Sequence, residues 1–69
     1  MSVRFILQDR DSQSFVNDKD EWVTNIRGAR DFRHITEAME FARTSDRPFL
    51  DLVMTFGDVK YDVRFPAKP

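Results

Sequence analysis

Cysteine is absent from this 69-residue chain, and histidine occurs once. Without cysteine there are no disulfides to brace the fold and no thiolate metal site. His34 stands alone as an imidazole, and none of the serines at 2, 12, 14 and 45 shares an interpretable motif with a base. A nucleophilic or acid–base mechanism therefore has no residues to build on, and no enzyme, cofactor or metal site is expected. Charge of neither sign is in excess: eleven Lys and Arg face twelve Asp and Glu, for a net charge of −1. That excludes the strongly basic balance of a polyanion binder and the composition of a charged disordered tail. Apolar runs last only a few residues, whereas crossing a bilayer takes about 20, so no membrane partner is expected. The opening MSVRFILQDRD has neither the apolar stretch nor the small-residue cleavage pattern of a signal peptide, and a cytoplasmic location is the expectation. Repeats, low-complexity tracts and linkers are missing too, which leaves one domain spanning residues 1–69.

Aromatic residues are what the chain has in quantity: seven Phe, one Trp and one Tyr. A domain of this length buries only about 60% of the surface its unfolded chain exposes. Each aromatic ring removes roughly 150–250 Å² from water, so ring bulk takes the place of the missing disulfides.

The C-terminal stretch FLDLVMTFGDVKYDVRFP alternates on both sides of Gly57-Asp58. A glycine first in a two-residue connection predicts a type II′ hairpin turn. The turn pairs Phe56 with Val59, Met54 with Tyr61, Leu52 with Val63 and Leu50 with Phe65, all on one dry face. The other face pairs Thr55 with Lys60, Val53 with Asp62 and Asp51 with Arg64. Near the N-terminus, VRFILQ and SFVN flank a polar loop and predict a second hairpin. A loop over Asp9–Gln13 pairs Leu7 with Phe15 and Phe5 with Asn17, leaving Ile6 opposite Val16 on the open face. A four-residue loop would swap the faces of the second strand.

Between the hairpins, Ile35, Ala38, Met39 and Ala42 follow a helical stripe with Phe41 at its edge, while Glu37, Glu40 and Arg43 face water. His34 takes the N-cap place three residues before Glu37, with Thr36 as the alternative; Ser45, Asp46 and the Arg47-Pro48 step end the helix. The expected fold is α+β, ordered ββαββ: a four-stranded antiparallel sheet with one helix packed on one face, in two layers. Upstream of the helix, Ile26, Ala29 and Phe32 are spaced by three, as are Arg27, Arg30 and Arg33. A 3₁₀-like turn would line the first set inward and the arginines outward, with Gly28 limiting it to one loose turn and a corner.

Phe15, Trp22, Ala29, Phe32, Glu37 and Ala38 together form a pattern of hairpin, tryptophan, Ala-x-x-Phe and Glu-Ala helix. In this the chain resembles small uncharacterised bacterial and phage domains. The resemblance implies the fold and no activity, and His34 stands where it would have a small polar residue.

Two acidic constellations read as solvated turns. Asp18 and Asp20 lie in a polar loop expected to be solvated, without the burial that acid catalysis by a carboxyl needs. The run Asp9, Asp11, Gln13, Asn17, Asp20 imitates a calcium loop but has Ser14 where the turn needs glycine and Asp20 where a bidentate Glu is usual. What remains is binding. The first reading is a non-enzymatic accessory or regulatory interaction module that takes a protein partner or a second copy of itself. Its candidate surfaces are an open sheet face showing Ile6, Val16 and Val53, an edge strand, and the arginine line. The alternative is a nucleic-acid binder using Arg27, Arg30 and Arg33, weighed down by the mixed charge and by aromatics placed on the dry face.

Overall fold

The computed structural model describes residues 3–57 and 59–67. Its sheet has five antiparallel strands: β1 Arg4–Asp9, β2 Ser14–Val16, β3 Trp22–Val23, β4 Leu50–Thr55 and β5 Val63–Pro66, with one helix, α1, at Ile35–Thr44. Their spatial order is β3-β2-β1-β4-β5, open at both ends. The α+β class, the antiparallel sheet and the single helix are as expected, with five strands in place of four. The extra strand is two residues long and pairs Val23 with Phe15 and Trp22 with Val16. Asn17 makes this hairpin without glycine. Its Oδ1 accepts the N–H groups of Lys19 and Glu21, both at 2.9 Å, while Asp20 takes the positive φ of 61°.

The first hairpin closes with the four-residue loop Arg10–Gln13, so Gln8 lies opposite Phe15 and Asp9 opposite Ser14. Gln13 adopts φ 58° and its N–H donates to the Asp9 carbonyl at 2.8 Å. Asp9 ends β1 because its own carboxylate organises the loop: Oδ1 accepts from Asp11 N–H at 2.9 Å. This single-residue difference turns β2 over, as the period of two requires. Val16 joins Leu7 beneath the helix, and Phe15 joins Ile6 and Val53 on the far side.

The second hairpin is longer than expected. Gly57 has the positive φ, 91°, that a turn there demands. The Asp58 half of the turn lies outside the described residues. A 3₁₀ turn at Val59–Tyr61 then takes up chain, and Leu52 pairs with Phe65 and Met54 with Val63. The register is thus displaced by two from the expected one. An even displacement keeps the paired residues 51–54 and 63–66 on their expected faces but replaces the Asp51–Arg64 pair, and Arg10 becomes the partner of Asp51 at 2.7 Å.

Both sheet faces carry apolar packing. Beneath α1 lie Leu7, Val16, Phe32, Leu50 and Leu52 against Ala38 and Ala42, with Phe5, Trp22 and Phe41 at the margin. On the other face Ile6, Phe15 and Val53 pack with Ala29. The segment 29–32 links the two. It runs extended through the notch where β1 and β2 diverge, with Arg30 N–H donating to Val16 O and Phe32 N–H to Phe5 O, each at 2.8 Å. Ala29 consequently faces one layer and Phe32 the other, alternating as in a strand.

Candidate interaction face

The sheet-face residues Ile6, Val16 and Val53 are corrected first. They are 0%, 0% and 1% exposed, so none can meet a partner. Val16 is under the helix because of the shorter loop, and Ile6 and Val53 are covered through Phe15 and Ala29.

The arginine line also dissolves. The 3₁₀ turn at Ile26–Gly28 forms where expected, with Asn25 Oδ1 accepting from Arg27 N–H, but it ends at Ala29 in extended backbone. Residues 27, 30 and 33 therefore no longer eclipse. Arg27 borders a small recess with Arg4, Thr55 and Asp62 on the face away from the helix. Arg30 lies on the helix side, its guanidinium 5.1 Å from the Phe32 ring centre and 5.6 Å from that of Phe41. It is further held by Asp20 at 2.5 Å and by the Asp18 carbonyl at 3.2 Å. Arg33 is exposed, and its guanidinium makes no ion pair among the described residues. One of the three is a structural clamp, and the others stand apart.

A second clamp has no signal in the sequence. Arg47 stacks on Trp22 at 4.1 Å and pairs with Asp9 at 2.5 Å, across 38 positions. The Asp9 side chain is 8% exposed. Burial alone would push its carboxyl up; the Arg47 hydrogen bond, the N–H groups of Asp11 and Ser12 and the Arg47 charge together hold it below the ordinary value. Arg10 is raised by its hydrogen bond to Asp51 and by that carboxylate's charge. Asp9 is thus committed to the fold. His34 occupies the N-cap place with no side-chain capping bond.

The surface with unused binding capacity lies between α1 and β5. The helix rests on the sheet through Ala38 and Ala42, both fully buried, so it sits over β1 and β4 and stops short of β5. Ile35 and Met39, the larger half of its apolar stripe, stay 46% and 39% exposed. Across from them Val63 and Phe65 point to the same side and are 41% and 44% exposed, while Tyr61 is 63% exposed. These aromatics were expected to be dry. Val63 and Phe65 lie on the expected face and Tyr61 lies in the 3₁₀ turn outside the ladder, but no helix among the described residues covers them, and one objection to base stacking is thereby lost. The resulting groove, about 1070 Å³, is lined by Ile35, Met39, Leu52, Phe65 and Ala67, with Glu40 and Arg43 at its rim. Beside it runs the outer edge of β5, which pairs with no other strand among the described residues. Exposed apolar groups next to an unpaired strand edge can dock an extended chain, whose backbone pairs with the edge while alternate side chains enter the groove.

No helix among the described residues is long and apolar enough to cross a membrane. Compared with known proteins, the chain has no significant match to any family model, curated protein or solved structure.

Proposed function

We propose that the chain is a small non-enzymatic accessory or regulatory module that binds another protein chain along α1 and β5. The observation that carries this is the exposure of Ile35, Met39 and Phe65 around one groove, with Val63 exposed on the same strand, whose outer edge pairs with no other strand among the described residues. Neither the sheet face nor the arginine line offers an equal surface. A cytoplasmic location belongs to the same proposal. The alternative, a nucleic-acid binder, now rests on exposed Tyr61 and Phe65 with Arg27 and Arg33; a salt titration with labelled single strand separates the two, since phosphate-driven binding weakens steeply with salt.

The test is a photo-crosslinking side chain placed at Met39, with a control at Glu37, in living cells that produce the protein. Protein adducts from position 39 and none from 37 support the reading. If position 39 yields no protein adduct while the variant is folded, the proposal falls.

A further inference from the structure

We infer that the recess on the face away from the helix binds a small zwitterion, an aliphatic amino acid. The recess is separate from the groove, so this inference stands apart from the docking role just proposed.

Three parts of the chain converge there: the 3₁₀ turn with Ile26 and Arg27, the paired strand residues Arg4 and Thr55, and the β4–β5 connection at Gly57 and Asp62. Two of them bring unused charge. The Arg27 guanidinium makes no hydrogen bond or ion pair among the described residues, although Asn25 fixes the turn that carries it. Asp62 is half-buried, its side chain accepts no hydrogen bond there, and its Oδ1 is buried without a donor. A carboxylate oxygen taken from water with no donor is unfavourable, and such a group calls for a partner. Arg4 does not supply it. Its Nη2 donates to the Ala29 carbonyl at 3.0 Å, and its Nε stands 3.8 Å from Asp31. Arg27 and Asp62 line the same space and form no ion pair across it.

Charge decides the class of ligand. A simple anion would meet the two arginines but also the Asp62 carboxylate. A simple cation would meet Asp62 in the company of two guanidinium groups. A molecule carrying both signs satisfies every group, its carboxylate on the planar fork of Arg27 and its ammonium beside Asp62. Thr55 is 8% exposed, and its Oγ1 accepts the Gly57 N–H at 3.4 Å, which leaves its O–H to donate to the same carboxylate. Ile26, 40% exposed, is the apolar wall and suits an aliphatic side chain. The recess measures about 320 Å³, the share of about ten waters, which is room for a molecule of amino-acid size. Gly57 keeps its own side of the space clear, since a Cβ there would meet nothing within 4 Å.

Titration of the isotope-labelled full chain with L-leucine, from micromolar to tens of millimolar and followed by amide chemical shifts, tests this. The signals of Ile26, Thr55 and Gly57 are expected to move and saturate with a Kd of about 1 mM, as for a ligand of few atoms in an open site. Two probes of the same shape each lack one charge: isocaproate has no ammonium and isoamylamine no carboxylate. Each is expected to bind about tenfold or more weakly than leucine, the worth of one charged hydrogen bond. Arg27→Met and Asp62→Asn are expected to weaken leucine to the same degree, with circular dichroism checking that each is folded. The probe comparison needs no variant and decides the matter where one fails to fold. Absence of any saturating shift with leucine overturns the inference, as does equal binding of leucine and either probe, or folded variants that bind like wild type. Saturating shifts confined to Ile35 and Met39 overturn it as well, because the ligand then sits in the groove.

Discussion

Replacing Arg30 by methionine separates a clamp from a phosphate grip. The side chain is one-quarter exposed and has five contacts to lose: the Phe32 and Phe41 ring faces, the Asp20 and Asp18 carboxylates, and the Asp18 carbonyl. Cation–π contacts at exposed sites are worth about 0.5–1 kcal/mol each, and exposed ion pairs about 0.2–1 kcal/mol. Methionine keeps the apolar stem over the rings, so the expected net loss is about 1–2 kcal/mol. In a domain of this size that lowers Tm by about 4–8 °C for each kcal/mol. Arg27→Met and Arg33→Met, which break no such contacts, are expected to stay within about 0.5 kcal/mol of wild type. Arg30→Lys keeps the charge but loses the planar fork and is expected to fall between. Urea unfolding followed by Trp22 fluorescence measures all four, with an unchanged m-value marking a change in stability alone. If Arg30→Met unfolds at the same urea concentration as Arg27→Met, the clamp is wrong and Arg30 is again available to an outside anion.

Asp9→Asn preserves an acceptor for the Asp11 and Ser12 amides but loses the Arg47 ion pair, for an expected cost of about 1–2 kcal/mol; Asp9→Ala loses all of these and is expected to cost about 2–4 kcal/mol in the same unfolding assay. The folded Asp9 carboxyl titrates below its ordinary 3.8, so its contribution is full above that value and disappears as pH falls through the folded pKa. The gap between wild type and Asp9→Asn, measured by unfolding across acidic pH, is accordingly expected to narrow toward low pH. Gly57→Ala is expected to cost about 1 kcal/mol: the position has φ 91° and nothing within 4 Å, so the whole cost is backbone. A synthetic chain with D-alanine at 57 should unfold with wild type. Ala38→Leu overpacks the helix–sheet contact and is expected to cost about 1–3 kcal/mol, whereas Met39→Leu on the open flank is expected to change thermal stability by less than about 0.5 kcal/mol.

What could be read from the sequence was whatever local chemistry decides. The helix lies at Ile35–Thr44, with His34 as N-cap residue and Ser45 ending it before Arg47-Pro48. The alternation in LDLVMT and VRFP identified the strand faces correctly even though the register differs by two. The loop length in the first hairpin was not legible. It is settled by Asp9, held from position 47, and no pattern around residues 9–13 records that contact. Arg30 was misplaced for a related reason. The spacing by three is real, but the carbonyls of Val16 and Phe5 draw residues 30 and 32 into an extended strap that overrides the turn. The groove was hidden because periodicity tells which side a residue faces and not whether another element reaches it. Phe65 and Met39 both face the groove, and no element among the described residues stands between them.

The alanines at 38 and 42 connect this open flank to stability. They let α1 approach the sheet closely, and that closeness leaves Ile35 and Met39 standing beside the contact instead of within it. Ile35, Met39, Val63 and Phe65 each keep 39–46% of their surface exposed. Full burial of such a side chain is worth about 1.5–3 kcal/mol, so the four together leave a few kcal/mol unrealised in one copy. Stabilities of about 0.05–0.15 kcal/mol per residue give a domain of this length about 3–10 kcal/mol in total, so the unrealised part is a substantial fraction of the whole. A chain that covers the flank binds the folded state and has no equivalent site on the unfolded one. Its free energy therefore adds to folding by mass action. On the proposed docking role, the strength of a partner contact and the stability of the fold would be two readings of the same uncovered surface.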